Sequence, residues 1–155
     1  LRLVGSEMCI RDRNMVQHCQ VLEDGCYGFQ EELGFTSEYF NQGYSNFVLE
    51  MNIRYLQEVY AGENISTCYR LLNVGPKLFH YCAAILSPDG NVCSIAEYVL
   101  AHVNLTERKT SNMSKVLKEK MQNMLDQHNQ SKRLNFKLSL SIEKSKQLLK
   151  LADPE

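Results

Sequence analysis

The sequence lacks any apolar run approaching the roughly 18–20 residues a membrane-spanning helix needs, and its start has no apolar core of signal-peptide type. It lacks an excess of either charge, with 17 Lys and Arg against 18 Asp and Glu. A nucleic-acid binder usually carries a basic face and a high pI, so the balance excludes that class. None of the six cysteines (Cys9, Cys19, Cys26, Cys68, Cys82 and Cys93) forms a C-x-x-C pair, and no histidine stands at finger spacing. That argues against a zinc site. The cysteines fall on apolar phases, as reduced buried thiols do, so the expected compartment is intracellular and cytoplasmic. Two short sequons, Asn64-Ile65-Ser66 and Asn104-Leu105-Thr106, carry little meaning without a secretion signal. There is no internal repeat.

What remains is a chain of 155 residues with 44% apolar content, enough for one domain with a core. From Asn14, a plausible N-cap, Met15, Cys19, Leu22, Cys26, Phe29 and Leu33 advance by fours and threes along one helix face. Gly34 is the stop signal. Gly25 and Gly28 weaken this helix but let a sheet approach closely. Residues 35–44 read as a loop with one short helical turn. The period then becomes two. Phe47, Leu49, Met51, Ile53 and Tyr55 share one face of an expected strand, and Asn46, Glu50, Asn52 and Arg54 the other. Further strands are expected over 65–72, 77–86 and 91–105, the last long enough that it must bend or bulge. The turns "YAGEN", "NVGP" and "SPDG" join them. Residues 113–128 return to a helical period. Leu134, Phe136, Leu138, Leu140 and Ile142 alternate as a strand would, and "EKSKQLLKL" reads as helix. One helix followed by four strands predicts an α+β fold, the helix covering an antiparallel sheet.

"NIRYLQEVYAGENI" and "KLFHYCAAILSPDGNVCSIAEYVLAHVNL" resemble the hot-dog acyl-CoA thioesterases. The branch is the 4-hydroxybenzoyl-CoA thioesterase-like one, closest to the betainyl-CoA thioesterase type that can occur fused to carnitine dehydrogenase. The residues that carry the likeness are Arg54, Tyr55, Leu56, Glu58, Ala61, Gly62, Glu63, Lys77, Phe79, His80, Glu97, His102, Val103 and Asn104. The resemblance spans roughly residues 14–128. It implies a hot-dog fold, a homodimer with the acyl-CoA site between subunits, and thioester hydrolysis without metal or redox cofactor. Coenzyme A enters only as part of the substrate.

The family's chemistry lies in a D-x-x-G-H-x-N motif ending the first strand and opening the long helix. Its Asp acts as nucleophile or general base, and the N–H groups at the helix start polarise the thioester carbonyl. Here Asn14 takes the place of the motif Asn, but the Gly-His and the Asp are not upstream of it. Asp12, two residues away and flanked by Arg11 and Arg13, does not replace that Asp. The first strand is expected to be missing as well. "LVGSEMCIRD" resembles the translation of a sequencing-library adapter. Residues 1–13 are therefore expected to be an artefact, residues 14–128 the domain, and residues 129–155 a tail.

Other candidates stay open between two readings. Glu97, expected on an apolar face with Cys93, Ile95, Val99 and Val103, borders the acyl pocket or is a satisfied structural acid. His80 and His102, expected on the opposite phases, line the substrate pocket or are structural. Arg108 and Lys109 hold the CoA phosphates or are solvated surface. Glu23 and Asp24 fall off the helix stripe and read as solvated acids.

Overall fold

The computed structural model describes residues 15–60, 62–131 and 134–152. Asn14, Ala61 and the whole 1–13 segment, with Cys9 and Asp12, lie outside the described residues. Helix α1 spans Met15–Leu33, and short α2 spans Ser37–Asn41. Strands β1 (Tyr44–Tyr55), β2 (Ser66–Val74), β3 (Leu78–Leu86) and β4 (Val92–Asn104) follow, then the two-residue β5 (Lys109–Thr110). Helices α3 (Lys115–Gln130) and α4 (Ile142–Ala152) complete the order. The sheet runs β1-β4-β3-β2, antiparallel at every pairing, with β5 on the end of β4. A long helix against a curved antiparallel sheet is the hot-dog arrangement.

The apolar stripe explains where α1 lies. Leu22, Cys26, Phe29 and Leu33 are buried against Leu71, Phe79, Tyr81, Ala83, Ile85, Tyr98 and Leu100 on the inner face of the sheet. Each such large side chain contributes about 1.5–3 kcal/mol on burial. Gly34 ends the helix at φ +114°, and the Phe35 N–H turns back to the Gln30 carbonyl. Gly25 meets the sheet closely: a Cβ there would overlap Thr67 Oγ1 and the Tyr69 hydroxyl. Gly28 has open space instead. Helix α3 closes the same core with Leu117, Met121 and Leu125, packed on β2 and α1.

The outer face holds a second, smaller cluster: Leu78, Val99, Ala101 and Val103 of the sheet with Ile142, Leu49 and Leu140. Residues 134–141 cross this face without regular structure and lead into α4. The strand alternation in the sequence is thus not realised there. Among the described residues the segment has no strand pairing with it.

Each main pairing carries one register shift, between Val48 and Glu50, between Leu71 and Asn73, and opposite Ile85–Leu86. Leu49, Leu72 and Cys93 are the extra residues. An extra residue switches the face that later residues present. Leu49 therefore packs in the outer cluster while Ile53 packs against the inner core, so the expected single stripe on β1 is split. Cys93 joins the inner core and does not share the face of Glu97. Among the described cysteines all are free, but Cys68 is exposed rather than buried.

Candidate active site

At the start of α1, His18 lies on the buried face, one turn ahead of Leu22 on the same stripe. Its Nδ1 is 3.3 Å from Ser94 Oγ, and its ring meets Tyr55 edge-on with centroids 5.1 Å apart. Ser94 is fully buried next to the extra residue of β4, whereas Tyr55 is half exposed at the end of β1. Burial raises the Tyr55 phenol, and the neighbouring Cys19 thiol adds to that. Met51, Tyr55 and Leu56 expose apolar surface along the end of β1 that reaches this cluster. The first turn of a helix also carries the positive end of the dipole. Sequence reasoning passed over His18 and Ser94. The legible signal was that His18 stands four residues before Leu22 on the stripe.

A groove of about 490 Å³ lies at the other end of the sheet. Its floor is Phe47, Leu49, Ala101 and Val103, and Arg108 and Lys109 stand on its rim. Arg108 is held at φ 54°, the left-handed region, by the turn between β4 and β5. The structure therefore brings the two basic residues together beside an apolar floor, away from the His18 cluster.

Glu97 is fully buried on the outer face, and it lines neither the groove beside Arg108 nor the one beside Ile142. Its carboxylate accepts from Arg54 Nη2 at 2.5 Å, from the Ser139 N–H with both oxygens at 2.9 Å, and from the Leu140 N–H at 3.0 Å. His80 shares this face, with Nε2 3.6 Å from Glu97 Oε2, so it does not occupy the opposite phase as expected. Desolvation lowers the His80 pKa, against the pull of the Glu97 charge.

His102 lies on the inner face. Its Nε2 is 2.7 Å from the Tyr39 hydroxyl and its Nδ1 2.9 Å from the Ser111 carbonyl. Those partners suit a neutral ring that donates from Nδ1 and accepts from Tyr39 at Nε2. Burial lowers its pKa and raises that of Tyr39. Glu23 and Asp24 are exposed on α1. Among the described residues no group of three His, Cys, Asp or Glu side chains is placed to hold a metal ion. Nor is any helix among them long and apolar enough to cross a membrane.

Known proteins share this architecture. The hypothetical protein SAV2348 from Staphylococcus aureus, solved in complex with CoA, superposes with TM-score 0.74 at 15% identity, covering 84% of this chain and 85% of that one. The DHNA-CoA thioesterase from Staphylococcus aureus gives TM-score 0.72 at 14% identity, covering 86% of this chain and 92% of that one. At such identities the likeness concerns the fold. Over 101 residues the chain is 32% identical to the L-carnitine dehydrogenase/betainyl-CoA thioesterase of Agrobacterium fabrum (strain C58), covering 65% of this chain. It spans only 21% of that relative's length. Residues 8–121 match the family model of the thioesterase-like superfamily, and the chain belongs to that superfamily.

Proposed function

We propose that this chain is the thioesterase module of an acyl-CoA hydrolase. It acts on an acyl-CoA thioester with water, and coenzyme A enters as part of the substrate. No metal or redox cofactor takes part. The observation that carries this reading is the first turn of α1, set beside His18, Ser94 and Tyr55 where β1 exposes apolar side chains. A thioester carbonyl seated there meets the positive end of the helix dipole where oxyanion charge develops. The motif Asp that the resemblance implies, supplied ahead of Met15, would attack that carbonyl carbon or activate water.

The same geometry supports a homodimer. Ser94 and Asn104 stand near opposite ends of β4, about 33 Å apart at ~3.3 Å per residue. One copy cannot bring its basic groove to its own helix start. Among the described residues, β1 leaves one edge unpaired and exposes Phe47, Val48, Met51 and Tyr55. Antiparallel pairing of β1 with a second copy's β1 covers that edge. It also turns one copy's Arg108 and Lys109 toward the other's helix start, where they meet the CoA phosphates.

The motif carboxylate has no counterpart at its spacing before Asn14. That observation favours a second reading, a non-catalytic hot-dog module that binds acyl-CoA or dimerises. Titration calorimetry with CoA and a thiol-release assay over an acyl-CoA panel separate the two. The chain is expected to bind CoA, and Arg108→Ala with Lys109→Ala to weaken binding about tenfold. Turnover is expected far below the ordinary enzyme range of roughly 1–10³ per second. Turnover inside that range overturns the dependence on the motif Asp. Absence of CoA binding at millimolar concentration overturns the acyl-CoA reading. Binding that stays inert after the D-x-x-G-H-x-N motif is restored ahead of Met15 establishes the module instead.

A further inference from the structure

The outer face of the sheet carries polar groups that thioester chemistry does not use. Among the described residues Glu97 is the only acid in the set of fully buried large side chains, and the backbone N–H groups of Ser139 and Leu140 converge on it. Arg54 completes the clamp. Its Nη1 donates to the Lys137 carbonyl at 2.9 Å, Nη2 reaches Glu97, and the guanidinium lies 5.2 Å over the Phe136 ring. One side chain of β1 and one of β4 thus grip the main chain of residues 137–140 from both polarities. Further on, Ser145 Oγ donates to Glu50 Oε2 at 2.8 Å.

We infer that residues 134–152 form a releasable strap, latched over the outer face by Glu97 and Arg54, which opens without unfolding the domain. Three features carry this. The strap contributes nothing to the main core, which lies wholly on the inner face with α1 and α3. Residues 134–141 have no strand or helix ladder of their own, so the latch supplies much of their hydrogen bonding. The closed layer also leaves buried Asn52 Oδ1, Arg54 Nε and His80 Nε2 without a hydrogen-bond partner among the described residues. Those atoms are solvated once the strap lifts, which offsets part of the gain from closing. Opening bares Leu78, Val99, Ala101, Val103 and Leu49. Three of these, Leu49, Ala101 and Val103, also form the floor of the groove beside Arg108 and Lys109. Opening therefore extends the apolar surface that continues that floor.

Hydrogen exchange read by mass spectrometry on the full chain tests this, with Glu97→Gln and Ser139→Pro as variants. Glu97→Gln disables the receptor. Ser139→Pro removes a donor and alters only the strap. In the unaltered chain the amides of 139 and 140 are expected to be protected although they belong to no regular element. Both variants are expected to speed their exchange at least about tenfold while β3 and α3 exchange as before. Trypsin is expected to cut after Lys137 faster in both variants. Unprotected amides at 139 and 140 in the unaltered chain overturn the latch. So does protection that survives both substitutions. If the strap and β3 always exchange at one common rate, the strap opens only with global unfolding and the inference fails.

Discussion

Replacing Gly25 and Gly28 by alanine, one at a time, puts the packing of α1 on the sheet to a sign test. Both glycines lie inside the helix, so each replacement gains about 1 kcal/mol of helix propensity. At Gly28 the new methyl meets nothing, and Gly28→Ala is expected to stabilise by about 0.5–1 kcal/mol. At Gly25 the methyl overlaps Thr67 Oγ1 and the Tyr69 hydroxyl. Thr67 is β-branched and stiff, so it yields only by leaving its rotamer or moving β2. Tyr69 must give up its 2.7 Å bond to the Leu22 carbonyl, a loss of about 1 kcal/mol. Overpacking costs a further ~1–3 kcal/mol. Set against the propensity gain, Gly25→Ala is expected to destabilise by about 1–3 kcal/mol. Thermal melts followed by circular dichroism resolve this, at ~2–4 °C per kcal/mol for a chain of this size. A Gly25→Ala protein as stable as Gly28→Ala refutes the close approach of helix and sheet.

Acid is expected to destabilise the fold well before the carboxylates titrate. Burial holds the His80, His102 and His128 pKa values below 6.5, and the Leu71 N–H donates to the His128 Nδ1, which must be bare to accept. The unfolded chain therefore binds more protons, and stability is complete above about pH 6.5 and falls as pH drops toward the folded values. The slope reaches up to ~1.4 kcal/mol per pH unit for each histidine. Urea denaturation at pH 7.5 and 5.5 reads it, and equal midpoints contradict the burial argument. At the sheet edge, Val48→Lys is expected to give a folded monomer by sedimentation at micromolar concentration, where the proposed edge pairing predicts a dimer for the unaltered chain. A monomeric unaltered chain removes the edge-pairing reading.

The helix-then-sheet order was legible because its signals are long. About five turns of stripe from Met15 to Leu33, and hairpin turns such as "SPDG", outweigh any single exception. The face assignments were less legible. Period-two reading assumes no extra residue, and Leu49 and Cys93 each break that assumption without a glycine or proline to mark the spot. His80 was set opposite Glu97 for another reason: β4 is buried along both faces, so its apolar phase did not tell inner from outer, and the sheet puts the two side by side. Nothing in "LNFKLSLSI" distinguishes an edge strand from a segment laid across a sheet. Its donors go to a carboxylate some 40 residues earlier in the chain. His18 was hidden differently. A lone histidine in a helix stripe looks like any core residue until its neighbours Ser94 and Tyr55 are in place.

The three extra residues bear on how this chain is compared with its kin. Val48 pairs with Leu100 and Glu50 with Val99, so deleting Leu49 leaves every other partner unchanged and merely makes the ladder regular. The same holds for Leu72 on β2, whereas Cys93 on β4 also accepts from the Leu56 and Gln57 N–H groups. Relatives can therefore differ from this chain by one residue in the middle of a strand and keep all its pairings. An alignment that confines gaps to loops will slide half of such a strand by one position and match inward side chains to outward ones. A single-residue gap at 49 or 72 keeps both faces of the sheet in register.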